Sequence, residues 1–95
     1  MDNQHRKISG YRELSQNEID LMNEIKAFGP QLAQLIGKVE EHIGIQVEKA
    51  NSMETDEEVE RLDAAGPRRW AAIAKKDLQT GLMALTRAVA QPTFF

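Results

Sequence analysis

Apolar side chains recur through the first half of the chain at Leu21, Ile25, Phe28, Leu32, Leu35 and Val39, spaced 4, 3, 4, 3 and 4 residues apart. Such spacing keeps one stripe of an α-helix apolar. The stretch LSQNEIDLMNEIKAFGPQLAQLIGKVEEHIGIQVEKA is therefore predicted to be helix almost throughout. Ser15 stands as its N-cap, and Glu18 three residues later completes a capping box. The stripe keeps its phase across Gly29-Pro30. There the pyrrolidine ring removes a donor and clashes with the preceding turn, so a kink or brief break between two nearly aligned segments is expected. Gly44 weakens the helix further on, and its end is predicted near Lys49.

The second half repeats the pattern. Leu78, Leu82, Leu85 and Val89 restate the 4, 3, 4 spacing, within a helix-rich stretch that has its own Gly-Pro interruption at Gly66-Pro67. Pro92 stops it and leaves the tail PTFF. Between the halves, ANSMETDEEVE reads as a turn, with Ser52 or Thr55 capping the second arm and acids in its first turn complementing the helix dipole. No strand alternation, low-complexity tract or full internal repeat is present. The prediction is an all-α single domain, 1–95. It comprises an N-terminal arm (1–14), a first helical arm (15–49), a turn (50–55) and a second helical arm (56–91), folded as an antiparallel hairpin.

Size changes this picture in one respect. Ninety-five residues make one small domain with a thin core, so self-association through the stripes is a natural way to complete it. The absence of cysteine excludes disulfides, thiolate nucleophiles and cysteine metal sites. No apolar run approaches the roughly 20 residues needed to span a bilayer, and the N-terminus lacks the apolar stretch of a signal peptide. A soluble cytosolic protein is expected, with no membrane partner.

Charge is unevenly spread. From Glu40 to Asp63 nine acids face two bases, Lys49 and Arg61, whereas from Arg68 onward five bases face one acid, Asp77. A pI near 5.3 argues against a DNA or RNA polymer, which selects a broad basic face. Small anions held by a few convergent bases fit better. The front of the chain, HRKISGYREL, gathers His5, Arg6, Lys7 and Arg12 around Gly10 and Tyr11, and is too polar for a core.

Catalysis finds little support. His5 and His42 are the only histidines, and His42 reads as a helix-surface residue. Glu40 and Glu41 are adjacent and point to different sides of a helix. No phosphate loop, HExxH or nucleophile elbow occurs, so neither an enzyme nor a metal site is expected. Binding is better supported. Tyr11 beside Arg12, and Trp70 after Arg68-Arg69, each pair a flat ring with cations, as nucleotide recognition requires. For Trp70 the favoured reading is a core anchor of the hairpin; for Tyr11, stacking and packing both stay open. Lys26 borders the first stripe. It either snorkels to solvent or, if a second subunit covers that edge, points into an interface groove. Arg68 and Arg69 follow Pro67 in a helix first turn, where free N–H groups favour anions; a solvated basic turn is the plainer alternative.

The segments HRKISGYRELSQNEIDLMNEIKA and RRWAAIAKKDLQTGLMALTRAVAQP resemble the phage anti-CBASS proteins that sequester cyclic nucleotide signals. A related group is the anti-Thoeris sponges for cyclic ADP-ribose derivatives. The resemblance implies a homo-oligomer, a hexamer of interlocked dimers, in the host bacterial cytoplasm. It would bind cyclic dinucleotides such as 3′,3′-cyclic GMP–AMP without cleaving them and without a cofactor, so that the host CBASS effector is not activated. By resemblance Tyr11 stacks a base and Lys26 meets the phosphates, with Arg12 as a further contact. A second pocket, for cyclic trinucleotides, would involve Arg68 or Arg69 and Pro92. The competing readings are a helical adaptor that binds another protein through the acidic belt, and a sponge for cyclic ADP-ribose signals.

Overall fold

The computed structural model describes residues 13–94, and these form three helices: α1 (Gln16–Asn51), α2 (Glu57–Ala65) and α3 (Pro67–Ala90). The chain runs out along α1, turns through 52–56, and returns along α2 and α3, which packs against α1. The all-helical hairpin is thus observed among the described residues. Its Cα dimensions are 70 × 22 × 16 Å, with a radius of gyration of 20.8 Å. A compact chain of this length has a radius of gyration of about 12 Å. The hairpin is a rod.

Local chemistry sets the helix ends. The Ser15 hydroxyl accepts from the Glu18 N–H at 3.2 Å, and the Glu18 carboxylate accepts from the Ser15 N–H at 2.8 Å. The capping box is complete. At the far end Ser52 does not cap the second arm, as one sequence reading had it; it closes α1, its hydroxyl donating to the Lys49 carbonyl at 2.8 Å. Asp56, rather than Thr55, occupies the N-cap of α2 without a side-chain bond, and Glu57, Glu58 and Glu60 fill the first turn. Gly66, at φ +59°, ends α2 in the left-handed region and leads into Pro67 at the start of α3. A β-carbon would be strained in that conformation.

Of the kink or brief break expected at Gly29-Pro30, the break does not occur: α1 is one helix of 36 residues with Pro30 inside it. Proline in a helix interior costs about 3 kcal/mol, and packing against α3 offsets it. Gly29 lies where an added β-carbon would sit 3.9 Å from Leu82 Cδ1. Leu32 and Ile36, one and two turns on, share a cleft with Leu78 and Leu82. Both sides of the proline are therefore held to the same partner.

Packing divides each stripe into two ranks. Ile25, Leu32, Leu82 and Val89 are half-buried along the helix pair. The alternate heptad positions Leu21, Phe28 and Leu35 are 41%, 50% and 57% exposed, and Leu78 and Leu85 are exposed on α3. Only Ile43, Ala50 and Leu62 are buried among the described residues, near the turn where α2 joins α1, and none of them completely. The surface left open is 7800 Å², against about 5,500 Å² for a compact monomer of 10.7 kDa.

Two outcomes follow. Ser15→Ala removes the cap and is expected to cost about 1 kcal/mol, read as a lower denaturation midpoint with fraying confined to the first turn of α1. The exposed Glu58 carboxyl is held below its usual pKa by the hydrogen bond and charge of Arg61. A depressed folded pKa stabilises above the unfolded pKa and loses that effect as pH falls through the folded one. The Tm difference between wild type and Arg61→Gln should accordingly be present at neutral pH and vanish through the acid end of the carboxylate range.

Candidate functional site

Lys26 lies eleven residues after the N-cap, about 16 Å along α1 at 1.5 Å per residue, and is exposed. Its neighbours one turn away are Met22, Asn23, Gly29 and Pro30, none of which can neutralise an ammonium. Among the described residues it makes no ion pair. Arg61 and Arg87 contrast with it: the first pairs with Glu58, and the second donates to the Phe94 carbonyl at 2.7 Å. Beside Lys26, Ile25 and Phe28 help line an open apolar groove of about 520 Å³ whose other wall is Leu82, Leu85 and Val89 of α3. The trough lies between the first half of α1 and the last turns of α3, and its one charged lining residue is Glu24, two positions before Lys26. Tyr11 and Arg12, the other residues named for this site, lie outside the described residues, as does His5.

A second group gathers at the start of α3. Helix α3 begins at Pro67 with no side-chain cap, so the N–H groups of its first turn are available to an anion. Sequence alone could not choose between Arg68 and Arg69; the structure gives them different surroundings. The Arg69 guanidinium lies 5.1 Å from the Trp70 ring centroid, a cation–π contact. Arg68 alone also lines a small cleft of about 100 Å³ with Glu40 and Ile43 of α1. Both border a cleft of about 240 Å³ with Val47, Leu62 and Asp63. Trp70 is not the core anchor that its size suggests: it is 59% exposed, because a two-helix rod has no interior on its outer side.

Pro92 does not join this group within the protomer. It follows Gln91, which ends α3 at φ +54°, and α3 is 24 residues long. Some 36 Å of helix therefore separates Arg68 from Pro92. The Arg87 bond that turns the tail back was missed from sequence; its signal is a basic residue in the last helical turn, but its carbonyl partner seven residues on has no pattern to announce it. Among the described residues no three His, Asp or Glu side chains gather closely enough to hold a metal, and no helix is long and apolar enough to cross a membrane.

With this geometry in place, similarity becomes informative. A family described as Acb2/Tad1, hairpin domain, matches residues 5–90. The chain belongs to the Acb2/Tad1 hairpin family. It is also similar to "Anti-CBASS protein 2" of Pseudomonas phage JBD67, at 50% identity over an alignment of 105 residues that covers 97% of each chain. The Acb2/Tad1 match begins at His5, so it takes in Tyr11, Arg12, Lys26, Arg68 and Arg69, and it ends at Ala90, before Pro92.

Because the exposed Lys26 ammonium makes no ion pair among the described residues, Lys26→Gln should leave Tm within about 3 °C of wild type by calorimetry, as for surface changes worth under ~0.5 kcal/mol. A larger drop would mean that the side chain serves the fold.

Proposed function

We propose that this protein captures cyclic dinucleotides such as 3′,3′-cyclic GMP–AMP and holds them intact, so that a host CBASS effector is denied its activating signal. The carrying observation is an open, largely apolar groove between α1 and α3 beside the segment that holds Lys26, in a chain half identical to a phage anti-CBASS protein. A cyclic dinucleotide presents two phosphates and two flat bases, which match a cation and an apolar or aromatic wall. Tyr11 stacks a base, while Lys26 and Arg12 neutralise phosphate. On this reading capture is the whole function, without turnover of the nucleotide.

The site is completed by self-association. Tyr11 is four residues from Ser15, a reach of at most about 14 Å, whereas Lys26 is about 16 Å from Ser15 in the opposite direction along α1. On this reading the tyrosine meets a neighbouring subunit's lysine rather than its own. The outward ranks Leu21, Phe28, Leu35 and Leu85 supply the surface through which copies assemble, as a homo-oligomer with a hexamer as the proposed form. The same logic applies to a second pocket, for cyclic trinucleotides. Arg68 or Arg69 of one subunit would have to meet Pro92 of another, given the length of α3 between them.

Affinity sets a requirement. Nanomolar capture corresponds to about −12 kcal/mol, while one stacked base contributes only ~1–3 kcal/mol. Enclosure by more than one subunit has to supply much of the difference.

Titration calorimetry with 3′,3′-cyclic GMP–AMP tests the reading. Wild type should bind tightly and release intact nucleotide after heating. Tyr11→Ala should weaken binding by about ten- to a hundredfold, in line with a lost stack. Cleaved nucleotide would contradict sequestration. No heat with this ligand, cyclic trinucleotides or cyclic ADP-ribose isomers would contradict nucleotide capture altogether and favour the acidic belt as a protein-binding surface.

A further inference from the structure

Pro30 is the strongest violation of a local rule in the described chain. It stands in the middle of a 36-residue helix, where proline costs more than any other residue. What it does can be read from helix geometry. In an α-helix the N–H of residue i bonds the carbonyl of residue i−4, so the partner that Pro30 withholds is the one due to the carbonyl of Lys26. The residue whose ammonium has no ion pair thus also carries a carbonyl without its helical donor. Lys26 and Pro30, four apart, lie on one face, and both are exposed. The side chain leans toward the helix N-terminus, while the carbonyl points toward the C-terminus. A cation and an acceptor that lacks its helical donor therefore project from one residue toward opposite ends of the helix, on one exposed face, where a ligand must span both.

We propose that Pro30 is a specificity-determining residue. By freeing the Lys26 carbonyl it gives the site an acceptor as well as its cation, so the site selects ligands bearing both an anionic phosphate and an N–H donor, which purine nucleotides carry on the base edge. The proposal rests on the nucleotide-capture reading above and adds the chemical feature that distinguishes a purine from a bare phosphate. A carbonyl in this position needs such a donor because an acceptor covered by ligand or subunit and left unbonded is costly. Inorganic phosphate satisfies only the ammonium. The continuity of α1 also matters: a broken helix would have scattered these two groups, whereas an intact helix with one missing N–H keeps them in register.

The test uses two variants of the full chain and one ligand, 3′,3′-cyclic GMP–AMP. Pro30→Ala restores the N–H and refills the carbonyl. It should raise Tm, since a good helix former replaces the worst, and yet weaken binding about tenfold, the scale of one hydrogen bond whose partner is taken away. An ester analogue with lactic acid at position 30, made by chemical synthesis of this cysteine-free chain, has alanine's methyl group but no N–H. It should return affinity to within about threefold of wild type. Stabilisation and loss of affinity in the same variant, reversed by the ester, is a pattern that a purely structural proline does not produce.

Wild-type binding that Pro30→Ala leaves unchanged would overturn the proposal while leaving nucleotide capture intact. Loss in Pro30→Ala that the ester does not restore would also overturn it, assigning the effect to groove shape. Failure of wild type to bind would overturn both readings at once. The three results are distinct.

Discussion

Two helices lying side by side share one line of contact, and this chain carries more apolar surface than one line can cover. Its stripes follow a 4, 3 alternation on both α1 and α3, which gives each helix two ranks of large side chains. The hairpin uses one. Ile25, Leu32, Leu82 and Val89 face the helix pair, while Leu21, Phe28, Leu35 and Leu85 face outward. With three buried side chains among the described residues, none of them completely covered, the protomer is closer to half of a core than to a core. Everything proposed about its function follows from what covers the other rank.

The same shortage explains how charges are arranged. Acidic side chains collect near the turn, where α2 meets α1 and the few buried residues lie. Two groups of cations are set apart, Lys26 on the open part of α1 and Arg68 and Arg69 at the uncapped start of α3. A single rod cannot bring them together, since Arg68 lies beside Glu40 and Ile43 of α1, about 20 Å of helix from Lys26. Assembly can. On this account the oligomer is not an accessory to binding; it is the means by which groups on separate rods reach one ligand.

Much of the fold was legible in the sequence because it was written in local terms. The capping box at Ser15 and Glu18 needs only two residues three apart, and the observed hydrogen bonds match it. The stripes gave the two arms. What failed was whatever depends on tertiary setting. Pro30 was read as an interruption, but its steric and donor penalties are local, whereas the contacts of Gly29, Leu32 and Ile36 with α3 are not visible along the chain. Ser52, one of two candidate caps for the second arm with Thr55, instead ends the first, since a serine hydroxyl serves either end when a turn is this short. Trp70 was read as core because of its size, though the rod has no interior on that side.

The candidate site was legible in part. Lys26 stood out by its place on the stripe border, and the structure adds that it makes no ion pair among the described residues. Arg68 and Arg69 could not be separated by sequence, since adjacent residues share composition and differ only in direction. The distance between Arg68 and Pro92 could have been computed from helix length alone. Tyr11 and Arg12 lie outside the described residues, and their roles rest on family resemblance and on the chemistry of rings and cations.

The central claim is that the uncovered rank is covered by further copies of the chain. Sedimentation equilibrium of the purified protein, without ligand and across a range of concentrations, tests it most directly. The account predicts a mass that is a multiple of 10.7 kDa, with six copies as the proposed assembly, and conversion to smaller species when Leu35 is replaced by aspartate. A protein that sediments at 10.7 kDa throughout, folded and helical, would contradict it.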